Sequence, residues 1–403
     1  MTKLASLAKL FILTILVSIL LVILATHFIT GLGISNYRVL LNAMLGVGSP
    51  TDTSKTVYTL TTPSGFNISI FADHIPNARL LKITPSGALL VSSPSKGTVF
   101  LLSDSNGDGQ ADITTPLVSG LNRPHGIDLY DDGKNTWLYI AETHAVGRID
   151  INWDTNTAQG NYERLTTDLP KGGNHWTRTI RFSPDGWLYL TAGSSCNVCE
   201  ETDDRRASMM RFRPSGTNGQ IYATGLRNSV GFDWAPWNNN LYATDNGRDL
   251  LGDNYPPCEL NQIEQHGFYG WPYINGFGDL DPHYGEGKEA LLKQSISPSF
   301  GFRAHNAPLG IHFLHHPSRP DGYQRTALVA LHGSWNRSEP DGYKVIALHW
   351  DKQDNITSED FVSNFLQADG RIIGRPVDIE EGPDGSIYIS DDYTGTIYRV
   401  LYR

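Results

Sequence analysis

Residues 174–201 read NHWTRTIRFSPDGWLYLTAGSSCNVCEE. A histidine leads into an apolar strand, the chain turns at Pro184-Asp185-Gly186, and a second strand returns to a loop holding Ser194, Cys196 and Cys199. Strand, tight turn and strand make a hairpin, which sets its first and last residues side by side. His175 and Ser194 therefore fall together, at the end away from the turn.

The phrase recurs. Residues 77–94 (NARLLKITPSGALLVSSP), 123–143 (RPHGIDLYDDGKNTWLYIAET), 227–247 (RNSVGFDWAPWNNNLYATDNG), 306–335 and 374–392 (GRPVDIEEGPDGSIYISDD) repeat the pattern of apolar strand, Pro/Asp/Asn/Gly turn and strand. The copies start about every 45–80 residues, the spacing of propeller blades with loop insertions. With 174–201 there are six, which predicts an all-β, six-bladed β-propeller. The early strand FNISIFAD is expected to complete the sheet of the last blade. A sandwich of unequal hairpins is the alternative, but sandwiches do not repeat one phrase in this way.

A propeller gathers the starts of its innermost strands on one face. Arg79, His125, His175, Arg227, Asn228, Asn306 and Arg375 would meet there, joined by Glu142, Ser194, Asp245, His332 and Asp391 from the ends of the second strands. So many basic and imidazole groups at one mouth predict a ligand pocket.

The formal charge of −10 excludes a general nucleic-acid binder, which needs a basic face. Residues 1–9 carry Lys3 and Lys9, and residues 10–30 are almost wholly apolar, long enough to span a bilayer. Positive residues ahead of the run predict a cytoplasmic N-terminus, a single transmembrane helix kept as an uncleaved anchor, a stalk over 31–57 and a catalytic domain over 58–403 in the periplasm. Cleavage to a secreted or periplasmic form is the alternative. Export permits a disulfide among Cys196, Cys199 and Cys258, in a pairing left open. Residues 104–112, DSNGDGQAD, put Asp104, Asn106 and Asp108 at alternate positions like the opening of a calcium loop, or equally like an Asx-rich turn.

The segments NHWTRTIRFSPDGWLYLTAGS, GLRNSVGFDW, CELNQIEQHGFYGWPY and GRPVDIEEGPDGSIYISDD, in that order, resemble the soluble quinoprotein sugar dehydrogenases, particularly their sorbosone dehydrogenase branch, over roughly residues 60–403. The resemblance implies a six-bladed propeller binding pyrroloquinoline quinone (PQQ) with Ca²⁺. It also implies oxidation of an aldose or aldehyde, sorbosone- or glucose-like, to a lactone or acid, with electrons passed to an acceptor the sequence does not name. By the same resemblance His175 is the base, Arg227 the group that steadies charge on the quinone, and Arg227, Asn228, Arg337 and Arg375 the cofactor contacts. The backbone carbonyls of Gly247 and Arg248 would hold the metal. Ser194 stands where the family has an aspartate that orients the histidine, so Glu200 or Glu201 is the candidate substitute. Ser194 and His125 are candidate substrate contacts, and His125 is equally a structural hydrogen-bonding group. Two other functions fit the same fold. One is a calcium-dependent lactonase-type hydrolase using Asp245, Asn228 and Glu142 as ligands, the other a non-catalytic binding propeller.

Overall fold

The repeated turn closes as its residues require. In the computed structural model, Gly186 has φ 78° and donates its N–H to the Ser183 carbonyl at 2.9 Å. A left-handed φ is easy only for glycine, so the turn is tight and the strand register follows, with Arg178 opposite Ala192 and Phe182 opposite Leu188. The structure describes residues 12–18, 20, 21 and 59–402.

Six four-stranded antiparallel sheets result. Their innermost strands are Leu81–Ile83, Ile127–Asp131, Arg178–Phe182, Ser229–Trp234, Pro308–Phe313 and Pro376–Glu381. Numbered in that order, the blades form the six-bladed propeller. Blade 6 takes its outer strand from Phe66–Ala72, which pairs antiparallel with Thr396–Tyr402, so FNISIFAD closes the ring as expected.

The core is divided among the blade interfaces. Leu90 and Leu101 of blade 1 pack on Leu138 and Ile149 of blade 2, and equivalent buried clusters join each later pair round to Tyr388 and Ile397 of blade 6 against Leu89 and Leu102 of blade 1. A middle strand is covered on both faces, hence the continuous apolar runs such as Thr326–Leu331. Blades approach so closely at the axis that a Cβ on Gly231 would overlap the Leu309 carbonyl.

The channel is filled. Val230, Leu309 and Val377, early in three neighbouring inner strands, form a buried apolar cluster. Further along, each inner strand contributes one polar side chain to a ring: Lys82, Asp128, Arg181, Asp233, His312 and Glu380. Lys82 Nζ lies 3.0 Å from Asp128 and 3.6 Å from Glu380, its neighbours on either side. The carboxylates also accept backbone N–H groups of the next blade, Asp128 from Phe182 at 2.6 Å, Asp233 from Phe313 at 2.9 Å and Glu380 from Ile83 at 3.2 Å. Nearby carboxylates more than offset burial and hold Lys82 and Arg181 firmly protonated.

Residues 12–18, 20 and 21 are helical and exposed. Among the described residues no helix is long and apolar enough to cross a membrane. The rest of the expected anchor, and the stalk over 31–57, lie outside the described residues.

Candidate functional site

His175 ends the loop that enters blade 3. Its Nδ1 is 2.9 Å from both the carbonyl oxygen and the hydroxyl oxygen of Ser194. A carbonyl can only accept, so Nδ1 carries the hydrogen and Nε2 is left with its lone pair free. The Ser194 hydroxyl donates to the Cys196 carbonyl at 2.7 Å, which leaves its lone pairs to the imidazole. Burial, then the Arg227 guanidinium, push the His175 pKa down to about 3, so the ring is neutral over the ordinary pH range. Neither carboxylate expected as a partner reaches it: Glu201 accepts from Ser195 N and Oγ, and Glu200 from Tyr273. A backbone carbonyl has taken the orienting role. Ser194 is itself fully buried. Its place is behind the imidazole, which corrects the expectation that it touches substrate.

Two arginines that sequence reading missed hold the loop beneath His175. Arg178 and Arg206 both donate to the His175 carbonyl, at 3.2 and 3.1 Å, and to that of Pro170, at 2.6 and 3.2 Å. Arg206 also bonds the carbonyls of Gly193 and Gly172. Burial and mutual repulsion bring Arg178 down to about 9. Two cations bonded to carbonyl oxygens create a strongly positive floor.

Arg227, at the entry to blade 4, has all five of its donors engaged. Nε donates to Asn197 O at 2.8 Å and Nη1 to the Asn246 and Gly247 carbonyls at 3.0 and 2.9 Å. Nη2 reaches Asn197 Oδ1 at 2.9 Å and Asp249 at 3.1 Å. The Gly247 carbonyl expected to bind a metal thus serves the guanidinium. The Arg248 side chain turns away to Asp281 at 2.6 Å. Beside Arg227, Asn228 leaves its buried Oδ1 without a partner. A Cβ on Gly193 would overlap both this amide and His175, so glycine there lets the two side chains approach.

Arg375 enters blade 6, bonded to the carbonyls of His332 and Gly333 at 3.1 and 3.2 Å. Among the described residues Arg123, Arg178, Arg206, Arg337 and Arg375 have no carboxylate within salt-bridge distance. Arg123 stacks 3.9 Å over the Trp176 ring. Trp335 is also on this side of its blade, 45% exposed.

Other expected residues fall elsewhere. His125 is wholly buried, with Nε2 accepting from Arg79 at 3.2 Å and Nδ1 donating to the Arg178 carbonyl at 3.3 Å, which makes it structural. Arg337 is buried against Asp253, Ala304 and Asn254 and tethers those loops, and its neighbour Asn336 donates to Asp249, the partner of Arg227, at 3.0 Å. Asp104, Asn106 and Asp108 each accept N–H groups of their own loop, at 2.7, 2.9 and 2.9 Å, the hydrogen bonding of an Asx-rich turn. The carboxylates considered for a hydrolytic metal are spent too: Glu142 binds Arg164 at 2.7 Å, and Asp245 accepts the N–H groups of Arg227 and Asn228 at 2.8 and 2.5 Å.

Cys196 and Cys199 are disulfide-bonded, and Cys258 is a buried free thiol in the core between blades 4 and 5. The small ring holds Asn197, which grips Arg227, and presents the Cys196 carbonyl to Ser194. The double variant Cys196→Ser/Cys199→Ser is expected to lose about tenfold in turnover through misplacement. Its stability should fall by no more than about 2 kcal/mol, because the closed loop is short. Steady-state kinetics alongside denaturant melts would separate the two.

Asp245, buried, lies opposite the half-buried Glu259 on the adjacent strand. Burial raises both carboxyls well above the usual range, and Asp245 raises Glu259 further. The folded pair keeps a proton that the unfolded chain releases, so its contribution to stability is full at low pH and erodes as pH rises through neutrality. Glu259→Gln should flatten that decline and stabilise the fold at about pH 8 by on the order of 1–2 kcal/mol. Urea melts at about pH 5 and about pH 8 test this, and an unchanged slope would count against a shared proton.

A family model described as TrAA12-like matches residues 60–261 and 286–403. An uncharacterized protein of Borreliella burgdorferi is 34% identical over 360 residues, 86% of this chain and 91% of that one. A pyrroloquinoline quinone-dependent pyranose dehydrogenase of Coprinopsis cinerea is 24% identical over 411 residues, covering 85% of this chain but 54% of the relative, so the chain spans about half its length. The calcium structure of the Trichoderma reesei family AA12 enzyme superposes with a TM-score of 0.74 at 21% identity, over 86% of this chain and 97% of that one, a likeness of fold.

Proposed function

The chain belongs to the TrAA12-like family, and from that premise we propose that it is a PQQ-dependent oxidoreductase acting on an aldose or aldehyde, sorbosone- or glucose-like. The observation that carries the reading is His175, a neutral imidazole with a bare Nε2, held by Ser194 beside Arg227, Arg178 and Arg206, of which the last two have no carboxylate within salt-bridge distance.

The residues fit an anionic cofactor. PQQ carries three carboxylates, and Arg375 and Arg123 offer charge with no carboxylate of their own, while the buried unpartnered Asn228 oxygen is an acceptor suited to a ring N–H of the cofactor rather than to a carboxylate. When bound, the quinone supplies the two-electron acceptor for a hydride. The chain's own part is to bind the substrate hydroxyl near His175 Nε2 and take its proton as the hydride leaves carbon. Ser194 keeps the proton-accepting nitrogen free. Arg227, rigid through its five bonds, provides a fixed positive charge where negative charge grows. The imidazolium so formed is strained by its arginine neighbours and passes its proton to solvent. Calcium fits less well: the Gly247 carbonyl already binds Arg227, and that cation adjoins the expected metal position. No step is routed through it.

Reconstitution tests the reading. Protein freed of cofactor, given PQQ with and without Ca²⁺, should reduce an artificial dye acceptor with members of an aldose and aldehyde panel. No PQQ binding by calorimetry and no turnover would leave a non-catalytic propeller. Lactone hydrolysis without quinone would favour the hydrolase. An exported, membrane-anchored enzyme with its propeller in the periplasm belongs to the same proposal. The Cys196–Cys199 disulfide supports an oxidising compartment.

A further inference from the structure

The far end of the channel carries a second cluster that the dehydrogenase reading does not use. The inner strand of blade 5 ends in His312 and Phe313, and His315 follows two residues later. The inner strand of blade 6 ends in Glu380 and Glu381. These ends lie opposite the mouth that holds His175, because every inner strand starts at that mouth.

His312 is 5% exposed, yet neither ring nitrogen has a hydrogen-bond partner. Asp233 and Glu380 each hold an oxygen 3.8 Å from its Nδ1, too far for a bond, and that Glu380 oxygen is unpartnered as well. Leaving buried polar atoms unpaired costs about 1–3 kcal/mol each, so an arrangement that keeps three together calls for something between them. His315 Nδ1 lies 3.0 Å from Glu381 Oε2, and the two imidazole centroids are 5.5 Å apart. One donor atom each from His312, His315 and Glu381 falls within 4.8 Å of the others. The Glu381 carboxylate is already oriented, accepting the N–H groups of His315 and His316 at 2.8 and 2.9 Å. All three residues line a cavity of about 400 Å³.

The donor set selects the ligand. Two imidazoles and one carboxylate suit a borderline cation such as Zn²⁺, which takes three protein ligands and leaves a position open. Calcium and magnesium want oxygen shells and are poorly served by two ring nitrogens. Charge agrees in sign: Lys82 and Arg181 supply two positive charges against the carboxyl groups of Asp128, Asp233, Asp378, Glu380 and Glu381. A cation reduces that negative excess. We propose that His312, His315 and Glu381 form a Zn²⁺ site that ties blade 5 to blade 6 at the closed end of the channel, with an open coordination position facing the cavity.

The site is tested by zinc itself, independently of any sugar oxidation. The full chain, stripped with a chelator and kept non-reducing so that Cys196 and Cys199 stay paired, is titrated with Zn²⁺ against a chromophoric competitor. The wild type should bind one equivalent and gain thermal stability. His315→Ala, at an exposed position, should bind at least tenfold more weakly and lose the zinc-dependent rise in Tm, as should Glu381→Gln. PQQ-dependent turnover of His315→Ala should equal that of the wild type. Absence of stoichiometric binding to the wild type, or equal affinity in both variants, would overturn the proposal. Failure of quinone activity with zinc binding intact would count against the dehydrogenase reading alone.

Discussion

Replacing His175 by Ala should cut turnover by roughly 10²–10⁴-fold, the range for loss of a positioned general base. Cofactor affinity should change little, because the imidazole is not among the groups offered to the anionic cofactor. Ser194→Ala separates the serine's two contributions. The carbonyl that fixes the tautomer remains in the variant, so its loss of activity should stay below about tenfold. A collapse comparable with His175→Ala would mean that the hydroxyl, rather than the carbonyl, orients the ring. The pH profile gives a second check. With its pKa down at about 3, His175 keeps Nε2 free throughout the weakly acidic range, and kcat/KM should show no break near the ordinary histidine value of about 6.5. The sign for stability follows from the same shift. Between about 3 and about 6.5 the unfolded chain binds a proton that the folded chain refuses, so the fold gains stability as pH rises through that window and loses it as pH falls.

The second large effect is expected at Arg227. Arg227→Met removes a guanidinium with every donor engaged and strands Asp249, Asn197 and two carbonyls. Breaking so buried a pair should cost ~3 kcal/mol in a denaturant melt. Turnover should fall as well, by about 10²-fold or more, since a preorganised charge at the reacting centre is lost. The arginine also depresses the His175 pKa, second only to burial. The variant's residual activity should therefore break at a higher pH than that of the wild type. An unmoved break would uncouple the two residues. Arg227→Lys should rescue little, because an ammonium cannot rebuild a fork of five directed bonds.

The fold was legible because its signal is local and repeated. Each blade announces itself through a glycine-bearing turn between apolar strands, and the strand 66–72 stands apart from the first hairpin with no partner nearby in sequence. The clustering of His175 with the Arg227-Asn228 pair was legible, because each opens an inner strand and the propeller brings those starts together. The partner of His175 was not, since a backbone carbonyl has no residue type to recognise. Arg178 and Arg206 escaped for a related reason. Arg178 at a strand start and Arg206 in a loop read as solvent-facing residues, and the two bind carbonyls brought together by the fold. His125 reads equally as a ligand group or a structural one from sequence, and its burial between Arg79 and the Arg178 carbonyl favours the second, while the Arg337 guanidinium is engaged by loop carbonyls. CNVC marked two cysteines close in sequence, but the choice against Cys258 depends on that thiol being sealed in the core between two blades.

The alternating ring of Lys82, Asp128, Arg181, Asp233, His312 and Glu380, with the apolar cluster of Val230, Leu309 and Val377 above it, makes the His175 mouth a cul-de-sac. On the proposed function, reductant and oxidant would share one doorway: the sugar would enter and its product leave before an electron carrier could draw close. The expected result is double-displacement kinetics, with parallel double-reciprocal lines and mutual inhibition when either partner is in excess.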